Sequence, residues 1–302
     1  MNSVSMNAAS WREPLEVLEP GAKWELVATL PDTGVIRIID VRDDEIWFLN
    51  VEKGVFFVYD GEGFDFFIPS DPFAQPKGAR FLNDTDILVA DKNLGLCKFL
   101  PYKAKYFNVA TECDGVPFDG INSVCTDGYG GAYVTDAGDS SYFKRDGKVY
   151  YVWFRDGGFD VELFVEGAAF PSCVATSADD NDVFVGEFAT NAVIAIASKV
   201  APGRVETPSI FSYSNKGHGP TGLAADSSGN LYISFEFRSE IMVVGCNGSK
   251  KTTISLPENA GNFPSDIFIW GNYLYVCEGN LGEVYRIKLR ASEQQEEEEL
   301  FF

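Results

Sequence analysis

One pattern recurs along the 302-residue chain: a Pro or Gly, a polar residue, an apolar run, a polar turn, a second apolar run, another turn and a third run. It is plain in Pro76-Lys77-Gly78 followed by residues 86–91 and 95–99, and again in Pro220-Thr221-Gly222 followed by residues 229–234 and 240–244. Other units open at Ile121-Asn122-Ser123, Pro171-Ser172-Cys173 and Pro264-Ser265-Asp266, and a first near Gly34-Val35-Ile36. Taking the second residue of each trio as anchor gives positions 35, 77, 122, 172, 221 and 265, spaced by 42 to 50 residues. Short runs rich in β-branched and aromatic residues, bounded by turn residues, read as strands. A period of this length carrying three or four strands predicts an all-β, six-bladed β-propeller of four-stranded antiparallel blades. Residues 24–30 remain as one alternating strand. They are expected to join the last unit as its outer edge and close the ring, because an open propeller leaves a strand edge unpaired. The domain reading is an N-terminal arm over 1–20, a single propeller over 21–290 and an acidic tail over 291–302, where residues 296–299 are all glutamate.

Composition narrows the function classes. With 24 basic against 45 acidic residues the net charge is −21, which opposes nucleic acid and anionic membrane surfaces as partners. A single histidine excludes zinc sites and facial triads built on two His. Residues 1–19 lack the charged and apolar regions of an export signal, and no apolar run is long enough to span a bilayer. The six cysteines form no C-x-x-C pair and fall mostly in strand-like runs, so reduced thiols and a cytoplasmic location are expected.

Propeller geometry converts the repeat into a site. The innermost strand of each blade starts at the central channel and the second returns antiparallel beside it. The anchors Val35, Lys77, Asn122, Ser172, Thr221 and Ser265 are therefore expected to ring one channel mouth. Around them lie the second-strand ends Asn50, Asp91, Asp136, Glu187, Phe235 with Glu236, and Glu278, while His218 approaches from the loop entering unit five. Carboxylates converging on one mouth raise each other's pKa and can supply a general acid and base. Each also has a structural use, since Asp and Glu after a strand accept turn N–H groups.

Residues 76–99, 120–136, 170–187, 222–234 and 264–289 give the chain a pattern that resembles the family of regucalcin (senescence marker protein), gluconolactonases and diisopropylfluorophosphatases. The resemblance implies a divalent ion, usually calcium, at the channel mouth, held by Glu, two Asn and Asp from blades one, three, four and five. Carried over, only Asn122 matches; the other positions fall on or near Val35, Ser172 and Thr221. An apolar residue and two hydroxyls do not make a site for a hard cation that takes 6–8 oxygens. Related propellers similar to strictosidine synthases and hetero-Diels–Alderases work in the same channel without metal.

The expectation is a metal-independent small-molecule enzyme, with no cofactor, performing acid–base catalysed cyclisation or isomerisation. Asp136, Glu187 and Lys77 are the catalytic candidates. Asn122, Ser172, Thr221, Ser265, Asp91, Phe235, Glu278 and His218 are the substrate-binding candidates. Two alternatives stand: a calcium-dependent lactonase or phosphotriesterase with a rearranged site, and a non-catalytic propeller that binds a ligand or protein. The oligomeric state is not legible.

Overall fold

The computed structural model describes residues 16–42, 45–155, 158–204, 206–246, 248 and 251–290. The acidic tail over 291–302 and most of the expected N-terminal arm lie outside the described residues. Strand β1 (Glu25–Thr29) precedes the first blade, formed by β2 (Ile36–Arg42), β3 (Glu45–Asn50), β4 (Val55–Tyr59) and β5 (Phe64–Phe67). Blade two is β6 (Pro76–Phe81), β7 (Ile87–Asp91), β8 (Gly95–Leu100) and β9 (Lys105–Ala110). A small hairpin, β10 (Glu112–Cys113) and β11 (Val116–Pro117), leads to blade three: β12 (Ile121–Thr126), β13 (Gly131–Asp136), β14 (Gly147–Arg155) and β15 (Gly158–Ala168). Blade four is β16 (Pro171–Thr176), β17 (Asp182–Glu187), β18 (Ala192–Ala197) and β19 (Ser209–Tyr213). Blade five is β20 (His218–Ala225), β21 (Leu231–Glu236), β22 (Glu240–Val244) and β23 (Lys251–Ser255). Blade six uses β24 (Pro264–Trp270), β25 (Tyr273–Glu278) and β26 (Glu283–Lys288), and its fourth strand is β1.

The pairing of β1 with β26, Glu25 opposite Arg286 and Thr29 opposite Glu283, closes the ring with the chain's first strand, as the leftover segment predicts. Beyond it, residues 16–20 are not a free arm. Val17 is buried, its carbonyl accepts from Arg290 N, and Leu18 bridges Leu289.

The core is a ring of six apolar clusters, each lying between two successive blades. Trp47 and Phe56 of blade one pack with Ile87 and Phe99 of blade two, and Tyr133 and Tyr151 of blade three pack with Val183 and Ile194 of blade four. The last cluster joins Ala28 and Tyr275 of blade six to Ile38 and Phe48 of blade one. Middle strands such as β7 are buried at every position because each face meets another blade, so their apolar runs do not alternate. Five of the six cysteines are buried or half-buried, Cys246 is exposed, and all six are free.

Inner strands begin with Pro76, Pro171 and Pro264. Proline suits this place because the inner strand is an edge facing the channel, and its first residue owes no ladder hydrogen bond. One residue further on, five blades carry a β-bulge: the pair made by Pro76, Ile121, Pro171, Pro220 or Pro264 is followed by an unpaired residue and pairing resumes after it, while blade five has a further irregularity between His218 and Pro220. The unpaired residues are Lys77, Asn122, Ser172, Thr221 and Ser265. A bulge re-aims the side chain it frees, so the repeat delivers the anchors to the channel.

Candidate functional site at the channel mouth

Blade one departs from this pattern. Ile36 pairs with Asn50 as Pro76 pairs with Asp91, but pairing then continues without a break through Arg37 and Leu49, and the irregularity falls between Ile38 and Asp40. The blade-one anchor is therefore Arg37, not Val35. The sequence signal was one cation inside the apolar run Ile36-Arg37-Ile38-Ile39; the shifted bulge was not readable from spacing.

Arg37 reaches across the channel. Its Nη1 donates to the carbonyl of Thr221 in blade five and, at 3.5 Å, to that of Ser265 in blade six, and it lies 3.8 Å from Asp266 Oδ1. Only 13% of the side chain is exposed, and among the described residues Nε is buried without a hydrogen-bond partner. Asp266 accepts from Ile38 N at 3.0 Å; burial pushes its carboxyl up, with Arg37 and Arg80 pulling the other way. Arg80 Nη1 donates to Ile38 O at 2.7 Å. Space left between Arg37, Arg80, Val174, Leu223 and Asp266 is about 10 Å³, close to the volume that admits one water. The space between these side chains is narrow at this level.

Three anchors are spent on the scaffold. Ser172 Oγ donates to Pro220 O (2.7 Å), Thr221 Oγ1 to Pro264 O (2.6 Å) and Ser265 Oγ to Ile36 O (2.9 Å). Each hydroxyl thus ties its blade to the inner strand of the next. Two anchors remain open: among the described residues, neither Lys77 Nζ nor the Asn122 side-chain amide has a hydrogen-bond or ion-pair partner. The strands that carry them touch, since a Cβ at Gly78 would stand 2.7 Å from Asn122 O. Lys77 is half-buried, and its ammonium pKa is lowered, first by burial and then by Lys92, while Asp91 and Glu52 oppose the shift.

The second-strand carboxylates are buried and mostly engaged. Asp91 accepts from Gln75, Asn93 and Leu94 N–H and from Tyr106 OH. Glu278 accepts from Phe263, Asn280 and Leu281 N–H. Glu187 holds Ala169 N, Thr190 Oγ1 and the Arg145 guanidinium. All three clamp the start of their blade, and Asp91 and Glu278 also bind the turn after the second strand. Asp136 differs. Its Oδ2 accepts from Asp119 N at 2.9 Å, but among the described residues Oδ1 is buried without a hydrogen bond, and burial pushes this carboxyl above the ordinary carboxylate value, with the Asp119 and Gly138 N–H groups pulling the other way.

Phe235 is completely buried with Leu223, Ile233 and Met242, so it belongs to the core and presents no wall to the mouth. The turn residue Phe237 is 52% exposed and stands edge-on to His218 at 4.9 Å. His218 is exposed, with Nδ1 3.5 Å from Glu236 Oε2. Phe170 and Phe237 hold left-handed backbone angles, φ 56° and 58°, a costly conformation for bulky residues.

The resemblance implies a divalent ion here, and the donors present do not fit one. A guanidinium stands at the expected glutamate position, and the hydroxyls at two other positions are committed to carbonyls. Among the described residues no three His, Cys, Asp or Glu side chains gather in a metal-holding group.

The fold is a six-bladed propeller whose inner strands carry polar side chains at one end. The chain belongs to the SMP-30/gluconolactonase/LRE-like family, whose profile matches residues 29–277. Among solved structures it is similar to a luciferin-regenerating enzyme (14% identity, 90% of this chain, 98% of that one, TM-score 0.74). A gluconolactonase from Xanthomonas campestris (13%, 92% and 95%, TM-score 0.70) and the calcium-binding protein regucalcin from Agrobacterium tumefaciens (15%, 88% and 97%, TM-score 0.68) are also similar. At these identities the likeness is one of fold. A curated relative, strictosidine synthase-like 3 of Arabidopsis thaliana, is 31% identical over 117 residues, spanning 35% of this chain and 30% of that protein.

No helix among the described residues is long and apolar enough to cross a membrane.

Proposed function

We propose that the chain is a small-molecule enzyme of the lactone-hydrolase type, acting at the channel mouth. One observation carries this: Lys77 and Asn122 are open donors on adjacent blades among the described residues, and the strand that carries Asn122 pairs with the one that ends in Asp136, a buried acid whose Oδ1 has no hydrogen bond there. Asp136 is paired with Ile121, the residue before Asn122. In lactone opening, water attacks the carbonyl carbon and the ring C–O bond breaks to give a hydroxy acid. Lys77 and Asn122 suit the carbonyl oxygen, which gains negative charge in the transition state. Asp136 suits proton transfer from the water to the leaving oxygen, since a raised carboxyl pKa brings it nearer working pH. Glu187 has three donors to hold and is assigned to positioning. The family and the name of the gluconolactonase neighbour favour lactones as the first substrates to try.

Turnover of a panel of aldonolactones by the purified chain tests the assignment. Asp136→Asn and Lys77→Met are each expected to lower kcat/KM by about 100-fold, with Glu187→Gln retaining more. Full activity in Asp136→Asn would overturn the role given to that residue. Cyclisation or isomerisation is a second reading, favoured by the partial match to the strictosidine synthase-like relative. Product that keeps the mass of its substrate, without added water, would select it.

A further inference from the structure

In a propeller that keeps a metal at its mouth, the chain supplies negative and neutral oxygens and the ion supplies positive charge. Here the signs are reversed. Arg37 is a permanent cation, because a guanidinium does not lose its proton in proteins. It is held by two carbonyls and faces Asp266. Lys77 adds a second cation on the next blade; Lys92 and Arg37 add positive potential around it, and Asp91 and Glu52 add negative potential. In a chain of net charge −21 these cations are gathered at one place, and Lys77 is left without an anionic partner among the described residues. Asp91, the carboxylate on its own blade, already accepts four hydrogen bonds.

We infer that the mouth is a standing anion site: Arg37 supplies, as part of the chain, the charge that a bound metal supplies elsewhere, and Lys77 with Asn122 receives a small carboxylate. A carboxylate accepts charge-assisted hydrogen bonds from both an ammonium and an amide N–H, matching the open donors on the two blades. The hydroxy acid released by lactone opening belongs to this ligand class; that link alone rests on the proposed function.

Isothermal titration of the full chain at neutral pH with sodium gluconate and, separately, sodium benzoate tests the inference. Each titration is run in calcium chloride and again in EDTA. At least one carboxylate is expected to bind, equally well in both media and more weakly as sodium chloride is raised. Lys77→Met should weaken that binding at least tenfold. The variant is a fair one, because among the described residues Lys77 has no hydrogen-bond or ion-pair partner to lose and burial disfavours its charge in the folded state. Binding that requires calcium, binding unchanged in Lys77→Met, or no binding of either carboxylate overturns the inference. The readout needs no turnover, so a chain that binds carboxylate but opens no lactone would sink the proposed function and leave this site standing.

Discussion

Asp136 carries a cost that can be measured. Burial raises its carboxyl pKa, the Asp119 N–H pulls it down, and the Asp119 carboxylate adds to the rise. The folded state therefore holds this proton more tightly than the unfolded chain. Its contribution to stability is fully present below the ordinary carboxylate value and is lost as pH rises through the folded value. Asp136→Asn is expected to raise Tm at neutral pH, with the gain vanishing in acid, where the wild-type carboxyl is already protonated. Equal Tm differences at both ends of the pH range would show that charge is not the cause. Under the proposed function, Asp136 is a place where stability is given up for chemistry. The sequence marked Asp136 and Glu187 alike, as carboxylates ending second strands. Nothing in the local chain distinguishes them, because the difference lies in which donors reach each one after folding.

The inner strands form the next level. Ser172, Thr221 and Ser265 donate around the mouth from blade four to five, five to six and six to one. Thr221→Val keeps the shape of the side chain but leaves Pro264 O without that donor. It is expected to cost about 1–2 kcal/mol, read as a lowered denaturation midpoint with unchanged m-value. A midpoint equal to wild type would mean that water replaces the hydroxyl. The Pro/Gly-polar repeat identified five of the six anchors. It missed Arg37 because β2 places its bulge later than the other inner strands, and a bulge depends on how two strands pair rather than on either sequence alone.

Across the whole molecule, stability depends on closure. Every apolar cluster joins two blades, and the one between blades six and one includes Ala28 and Leu30, from β1 and the residue just past it. Deleting residues 1–30 removes the outer strand of blade six, bares the edge of β26 and opens that cluster. The shortened chain is expected to unfold without a single cooperative transition and to self-associate through the bare edge; light scattering and a denaturant titration check this, and a monomer with an intact transition would refute it. The net charge of −21 does not prevent the loss, because repulsion between surfaces leaves the unpaired backbone groups unpaired.

Periodicity by itself determined the number of blades, their strand content, the closing strand and five of the inner-strand bulge positions. It could do so because each blade is a local unit whose apolar runs and turns lie within 50 or so residues of one another. Only the tertiary structure decided the chemistry of the mouth. It consigned most of the expected carboxylates to turns, left one oxygen of Asp136 without a hydrogen bond among the described residues, sealed Phe235 in the core and brought Arg37 across the channel. Those outcomes rest on donors from other blades, distant in sequence, and on the dry interior that decides whether a charge is paired, neutral or open to a ligand.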